Sequence, residues 1–555
     1  MKVSDYIIQF FECQGVEQVF CVSGGAAAHL LESTRSSSMN TIFNYHEQAC
    51  AMCADGYARI AKKPAIVLVT NGPGSTNTIT GVLGAWQDGI PMIVLSGQVP
   101  RNQTLASEHN HPLRQLGVQE CDIIKMVTHC TNFAVQLTTD VPRTLGHAWK
   151  MATTGRMGPV WLDVPIDVQA ENIDCVPRAV QVENRVDCPM NNEIVRAFTE
   201  AKKPLIIAGN GIHLANAERE FIECIEKTGA PVVCTWNAND ILSWEHPLYV
   251  GNFGIFGERA ANLAIQNADC ILVLASRLSI PCTGYDSSKF APHAKIIMVD
   301  IDVHEVFKRT MRSTYQYIGD VRDFMRQFDV TVNVPEWIEQ VQHWKNSLSV
   351  FNEPHTRVEG FVNSYDLMKD LGTVVNDRDI VVTDMGTSFT CTMQALRNHG
   401  NRLFTSSGLC SMGFGLPGAI GAWSADKNRR IICIAGDGGF QMNLQELQTV
   451  VQYKIPLKII ILNNNGYLAI SLMQDNLFKN RFGADVSSPD FKAVAQAYGI
   501  QTFETVHECL AHEGSSLVNV TMVRNQLLIP RVMSYKDPVT NQIKSGTLEN
   551  MFPGQ

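Results

Sequence analysis

PAIVLVTNGPGSTNTITGVLGAWQDGIPMIVLSG (64–97) and RRIICIAGDGGFQMNLQELQTVVQYKIPLKIIILNN (429–464) follow one grammar. Each runs from a β-branched stretch through a glycine turn and a helical stretch to Ile-Pro and a second β-branched stretch. Gly436 lies 364 residues after Gly72, and Pro456 lies 365 after Pro91, a register that chance rarely keeps. KPLIIAGNGI (203–212), followed by a helical stretch and GAPVVCTW (229–236), reads as a third, weaker copy. Uninterrupted Val/Ile/Leu runs alternating with helices indicate parallel strands buried on both faces. The expected fold class is therefore α/β, with three doubly wound parallel-sheet domains at 1–180, 190–335 and 360–540. Boundaries are read at DCPMNNE (187–193) and FNEPHTRVEG (351–360). A chain of 555 residues has room for about three domains of ordinary size.

Composition narrows the function classes. Apolar residues make up 45% and charged residues 18%, the balance of a well-buried globular chain. A formal charge of −9 without a Lys/Arg-dense segment argues against nucleic acid, whose binders need clustered cations. The opening MKVSDYIIQFFECQGVEQVF reads as an amphipathic helix running into a strand, not a signal peptide, and no run of 18 apolar residues suggests a membrane span. Sixteen scattered cysteines fit a reducing cytoplasm. Cys50 and Cys53 have C-x-x-C spacing without a second pair, so they read as two small side chains on one helix face.

The two copies differ where chemistry would be added. The first turn, Gly72-Pro73-Gly74, offers no ligand atom; the last, Gly436-Asp437-Gly438-Gly439, has a carboxylate at its strand's end. The next strand ends in Asn463-Asn464-Asn465-Gly466, with Asn464 27 residues past Asp437. Neighbouring parallel strands would bring these tips together, at the carboxyl ends where open sheets place ligands. A carboxylate from Asp437, an amide oxygen from Asn464 and the Gly466 carbonyl make half of an Mg²⁺ octahedron, which phosphates and water commonly complete. Glycines let the backbone approach a diphosphate near a helix N-terminus. A capped βα turn beside a polar loop is the plain structural alternative.

GDG followed by a paired Asn resembles the signature of thiamine-diphosphate enzymes. GGAAAHLL (24–31), HEQACAMCADGYAR (46–59), NGPGSTNTITG (71–81), GPVWLDVPIDVQ (158–169), SGLCSMGFGLPGAIGA (407–422) and PRVMSYKDP with LENMFP near the end are similar to acetolactate synthase and its relatives, in that family's order. The resemblance implies pyrimidine-binding, middle and diphosphate-binding domains, thiamine diphosphate and Mg²⁺. It also implies decarboxylation of a 2-oxo acid such as pyruvate, with ligation of the acyl anion to a carbonyl acceptor. Acyl transfer to a ketone such as a nucleotide-linked keto-sugar, and cleavage of a diketone or acyl-CoA, are the alternative chemistries. A non-enzymatic scaffold would gain nothing from a buried acid and a metal site.

The resemblance assigns roles residue by residue. Glu47 matches the acid that hydrogen-bonds N1′ of the aminopyrimidine and so lets the ring act as an internal base; burial is expected to raise its pKa. Asn77 lies in the 71–81 motif on the cofactor side. Met412 matches the apolar wedge beneath the cofactor, and the Cys410 carbonyl would accept from its amine. Gly386, Thr387 and Ser388 occupy a diphosphate-contacting position where relatives often carry Gln and His. Gln119 matches a residue facing the reacting carbon; an ordinary exposed glutamine is the other reading. His109 and His111 are either proton donors or surface histidines. The family site lies between subunits, which implies a homodimer or a homotetramer.

Three departures stand out. Gln474 falls where acetolactate synthases carry a Trp, and Val118 where they carry a Phe, which puts the acceptor in doubt. Gly209-Asn210-Gly211, Ser276-Arg277, Asp300-Ile301-Asp302 and Gly319-Asp320 stand where those enzymes hold FAD, yet Ile255-Phe256-Gly257 replaces their Met-His-Gly. These residues read equally as strand ends and turns.

Overall fold

The computed structural model describes residues 1–107, 113–181 and 188–554. Eighteen strands form three six-stranded parallel sheets. The first holds β1 (Gln18–Cys21), β2 (Asn40–Phe43), β3 (Ala65–Val69), β4 (Met92–Gln98), β5 (Phe133–Gln136) and β6 (Pro159–Pro165), in the order β2-β1-β3-β4-β6-β5. The second holds β7 (Pro204–Ala208), β8 (Val232–Cys234), β9 (Tyr249–Asn252), β10 (Cys270–Leu274), β11 (Lys295–Asp300) and β12 (Tyr315–Ile318), ordered β12-β11-β10-β7-β8-β9. The third holds β13 (Ile380–Thr383), β14 (Arg402–Phe404), β15 (Ile431–Gly436), β16 (Lys458–Asn463), β17 (Gln501–Phe503) and β18 (Ser516–Thr521), ordered β14-β13-β15-β16-β18-β17.

Sheets one and three thus share one strand order, and β3 and β4 correspond to β15 and β16, the two quoted stretches. The middle sheet departs from the expected third copy. Read from β9, its order is that of the doubly wound dinucleotide fold, with the reversal between β7 and β10. Strands such as β3, β7 and β10 are buried at every residue, which is why their sequences show no polar alternation.

Residue contacts divide the chain into two compact units. One comprises Met1–Asn184, Thr405–Ile461 and Pro489–Asn519; the other comprises Arg185–Phe404, Leu462–Ser488 and Val520–Gln555. In the first, helices Glu47–Ala61 and Gly415–Ala425 cross at backbone distance. A methyl group on Gly56 would collide with the Gly418 carbonyl, and one on Gly421 with the Cys53 carbonyl. Small residues let the two main chains meet, and Cys50 and Cys53 lie buried on the helix as expected of apolar side chains. In the second unit the C-terminal strands Arg531–Val532 and Met551–Phe552 pair antiparallel. Arg259 fixes them through Pro553 O at 2.6 Å, and Asn262 donates to Leu548 O at 3.0 Å.

All sixteen cysteines are free thiols. Among the described residues no helix is long and apolar enough to cross a membrane.

Candidate active site

Within the first unit, the acid predicted from sequence sits at the mouth of β3. His46 caps helix Glu47–Ala61, its Nδ1 accepting from Gln48 N at 3.1 Å, so Glu47 is the first helical residue. Glu47 Oε2 accepts from Asn77 Nδ2 at 3.0 Å, and its Oε1 lies 3.7 Å from where a Cβ on Gly74 would stand. Two motifs far apart in sequence therefore meet at one carboxylate. The enclosure expected for Glu47 is incomplete in a single chain, because the residue is half-buried.

The Gly72 turn is already filled by protein. Gly72 has φ +60°, and a side chain there would collide with the Gln119 carbonyl, while Gln119 Cβ lies 3.0 Å from that position. Asn71 Nδ2 donates to Val118 O at 2.9 Å. Gln119 itself has φ +58° and an exposed side chain. Its neighbour Glu120 is buried and accepts from Leu105 N at 2.9 Å and Leu116 N at 3.3 Å. Behind this loop, Gln98 Nε2 donates to both Cys121 O at 3.2 Å and Asp163 at 3.1 Å. Burial pushes the Asp163 carboxyl up to about 6, against hydrogen bonds from Ser96, Gln136 and Gln98 that favour its charged form. His109 and His111 lie outside the described residues.

The corresponding turn after β15 is different. Gly436 has no heavy atom within 4 Å of its missing Cβ, so the space that Gln119 fills at Gly72 is open here. Asp437, Gly438 and Gly439 follow and are buried. The single helix expected from the sequence is broken: Asp437–Phe440 is one turn, Gln441–Glu446 is 3₁₀, and Leu447–Gln452 resumes the α-helix. The break falls at Asn443, with φ −134° and ψ 31°. Its amide is pulled out of line, donating to Gly413 O at 2.7 Å and Gln48 Oε1 at 3.1 Å. Asn443 thus ties the residue after Met412 to the residue after Glu47.

Met412 is half-exposed and Cys410 exposed, the latter in the left-handed region at φ +58°. The segment is anchored upstream. Asp88 accepts from Ser407 N at 2.9 Å and Arg59 at 2.7 Å, and Arg59 also pairs with Asp55 at 2.6 Å, all three side chains being buried.

In the second unit, Gly386 caps helix Thr387–Ala395 with φ +86°, again with open space where a Cβ would stand. The Ser388 hydroxyl donates to Met385 O at 3.1 Å. Asn464 is buried, and Gly466 packs beneath Ala484, where a Cβ would lie 2.8 Å from its carbonyl. Gln474 forms a two-way pair with the Phe482 backbone, Nε2 to O at 2.9 Å and N to Oε1 at 3.0 Å, so its amide braces a loop. In the middle sheet, Gly209 and Gly211 fit against the Ala275 backbone, while Asp302 and Asp320 cap the helices Val303–Val306 and Val321–Gln327. Among the described residues no three His, Cys, Asp or Glu side chains cluster as a metal site.

Sequence reasoning missed Asn71, Asn443, Glu446 and Asp163, whose side chains fix the surrounding turns and strand ends. A detectable signal for Asn443 and Glu446 was their spacing of three, polar residues on the face that a buried helix should keep apolar.

Three family models match successive parts of the chain. Residues 1–126 match the family model for the N-terminal TPP binding domain of thiamine pyrophosphate enzymes, 192–328 the central domain, and 384–520 the C-terminal TPP binding domain. The chain is 33% identical to a probable acetolactate synthase large subunit from Methanococcus aeolicus, over 90% of this chain and 87% of that protein. It is 32% identical to the acetolactate synthase isozyme 2 large subunit of Escherichia coli K12, covering 90% of each. A Lactococcus lactis acetolactate synthase large subunit is 30% identical over 95% of this chain and 94% of its own length. The chain belongs to the thiamine pyrophosphate enzymes, as a member of the acetolactate synthase large-subunit family.

Proposed function

We propose that this enzyme decarboxylates a small 2-oxo acid, pyruvate first among them, and ligates the resulting acyl group to a carbonyl acceptor, using thiamine diphosphate and Mg²⁺. The observation that carries the reading is the contrast between the two glycine turns: the Gly72 turn is closed by Gln119, and the Gly436 turn is open beside a buried aspartate. When bound, the cofactor supplies the electron sink for the carbanion left by loss of CO₂. Glu47, held by Asn77, would hydrogen-bond the aminopyrimidine and hold a proton at its N1′. Met412 and the Cys410 carbonyl would contact the cofactor's rings, and Gly436, Gly438 and Gly439 on one side and Gly386, Thr387 and Ser388 on the other are the residues that would hold its diphosphate. Asp437, Asn464 and the Gly466 carbonyl are the oxygens that would hold Mg²⁺, which would neutralise the diphosphate.

Half-burial of Glu47 supports a homodimer in which the acid of one copy closes on the Gly436 turn of a second, singly or paired into a tetramer. Gln119, on its clamped loop, orients the acceptor carbonyl. With Gln474 tied to Phe482 and Val118 exposed, no aromatic wall is built at either position, which favours an acceptor other than a second pyruvate, such as a ketone on a larger molecule. FAD remains the second cofactor that the middle-sheet turns suggest by resemblance, and an absorption spectrum of the purified protein tests it.

The test is product analysis. Purified enzyme with pyruvate, thiamine diphosphate, Mg²⁺ and a panel of aldehydes and ketones should yield C–C-coupled products by mass spectrometry. Breakdown of a diketone or acyl-CoA without coupling would point to a lyase; consumption of no 2-oxo acid would end the proposal.

A further inference from the structure

We infer that Glu446 is a positioning residue that holds the turn aiming Glu47. The inference rests on the reading of Glu47 as the cofactor-activating acid. The turn Asn44-Tyr45-His46 joins β2 to helix Glu47–Ala61, so its conformation sets where that helix begins. Glu446 Oε1 accepts from Tyr45 N at 3.0 Å, and Oε2 accepts from Asn44 Nδ2 at 2.9 Å and Thr449 Oγ1 at 2.7 Å. Three donors converge on one carboxylate with no measurable exposure.

The grip continues along the chain. Phe43 N donates to Tyr453 Oη at 2.8 Å, and Tyr45 Oη donates to Gln452 Oε1 at 2.8 Å. Three consecutive residues before the His46 cap are therefore held by residues 446–453. The break at Asn443 is what lets this happen, since it redirects the backbone just before Glu446.

A carboxylate is a costly way merely to fasten a helix. Burial pushes Glu446's pKa up, and apolar packing would supply adhesion without that penalty. What the carboxylate adds is direction: charge-assisted bonds to a backbone N–H and a side-chain amide at fixed angles. Asn44 is used for its donor alone, because its buried Oδ1 has no partner among the described residues. Locking a support by second contacts is how a reacting group is kept within a fraction of an ångström of its working place.

The test uses full-length enzyme reconstituted with thiamine diphosphate and Mg²⁺, and reads proton–deuterium exchange at C2 of the bound cofactor by quench and NMR. Glu446→Gln keeps the bond to Tyr45 but sets an amide donor against Asn44 Nδ2, a mismatch that Asn44 relieves only by turning its amide over and giving up its contact with Cys53 Sγ. Exchange and kcat should fall by about tenfold to a hundredfold, the cost of a small misplacement, with KM for pyruvate unchanged. Adding Asn44→Asp reverses donor and acceptor and should return exchange to within about threefold of wild type, as coupled partners do. A slow Glu446→Gln enzyme that Asn44→Asp fails to rescue would overturn the inference, as would exchange at the wild-type rate in Glu446→Gln. Glu47→Gln is the control: if it exchanges at the wild-type rate, the Glu47 reading itself fails. Should Glu446→Gln not fold, Tyr453→Phe removes the outer bond to Phe43 and should still slow exchange; an unchanged rate there overturns the inference.

Discussion

Replacing Asp163 with asparagine separates the fold's electrostatic cost from its packing. The carboxyl lies fully buried where β4, β5 and β6 end, accepting from Ser96 Oγ at 2.6 Å, Gln98 Nε2 at 3.1 Å and Gln136 Nε2 at 3.2 Å. Its pKa rises from an ordinary 3.8 to about 6, mainly through burial. A raised carboxyl binds its proton more tightly in the folded state. The stability it contributes is therefore greatest below the unfolded value and is lost as pH climbs toward 6. The whole loss is about 3 kcal/mol, of which about 1.4 kcal/mol falls between pH 7.5 and pH 5. Asparagine matches the shape and does not titrate. Amide hydrogen exchange of β4 and β6, corrected for intrinsic rates, should show wild-type protection rising about tenfold on going from pH 7.5 to 5 relative to Asp163→Asn. Equal pH responses in the two proteins would refute the assignment of a buried, strained carboxylate.

Gly436→Ala should leave the melting temperature unchanged, because φ is −76° and the added methyl meets open space, yet weaken thiamine diphosphate binding by about tenfold or more in calorimetric titration. Gly72→Ala should do the reverse, lowering stability by about 1–3 kcal/mol in thermal melts through its positive φ and its clash with the Gln119 carbonyl. Asp240 is buried between His213 Nε2 at 2.8 Å, Leu403 N at 2.6 Å and Arg402. Burial alone would raise its pKa, but Arg402 and His213 hold it well below the usual carboxylate range. Its contribution is therefore present at neutral pH and lost as pH falls below about 4. Asp240→Asn should cost about 3–5 kcal/mol at pH 7, seen as a lower melting temperature whose deficit shrinks in acid.

The architecture was legible because burial writes itself into composition. β3 and β15 are buried on both faces, so both are apolar throughout, and the glycine turns that follow them are short and chemically distinct. Glu47 and Asp437 stand out in the sequence because each opens a helix inside a recognisable motif, and Asn77 stands out through its motif alone. What the sequence hid was pairwise geometry. The identical strand order of sheets one and three, and the different order of the middle sheet, depend on which strands become neighbours, and local propensity carries no such information. The segment GDGGFQMNLQELQTVV reads as one helix by periodicity; tertiary bonds from Asn443 to Gly413 and Gln48 override that local preference. Gln119 illustrates the same gap. Its identity suggested a side-chain role, whereas its backbone also closes the Gly72 turn, a contact between residues 47 apart.

The most direct measurement is CO₂ release from carboxyl-labelled pyruvate by wild-type enzyme and by Glu47→Gln, each saturated with thiamine diphosphate and Mg²⁺. Release by wild type that requires both additions, and a fall of about a hundredfold or more in Glu47→Gln with cofactor affinity retained, is the predicted result. Equal rates in the two proteins would contradict the account.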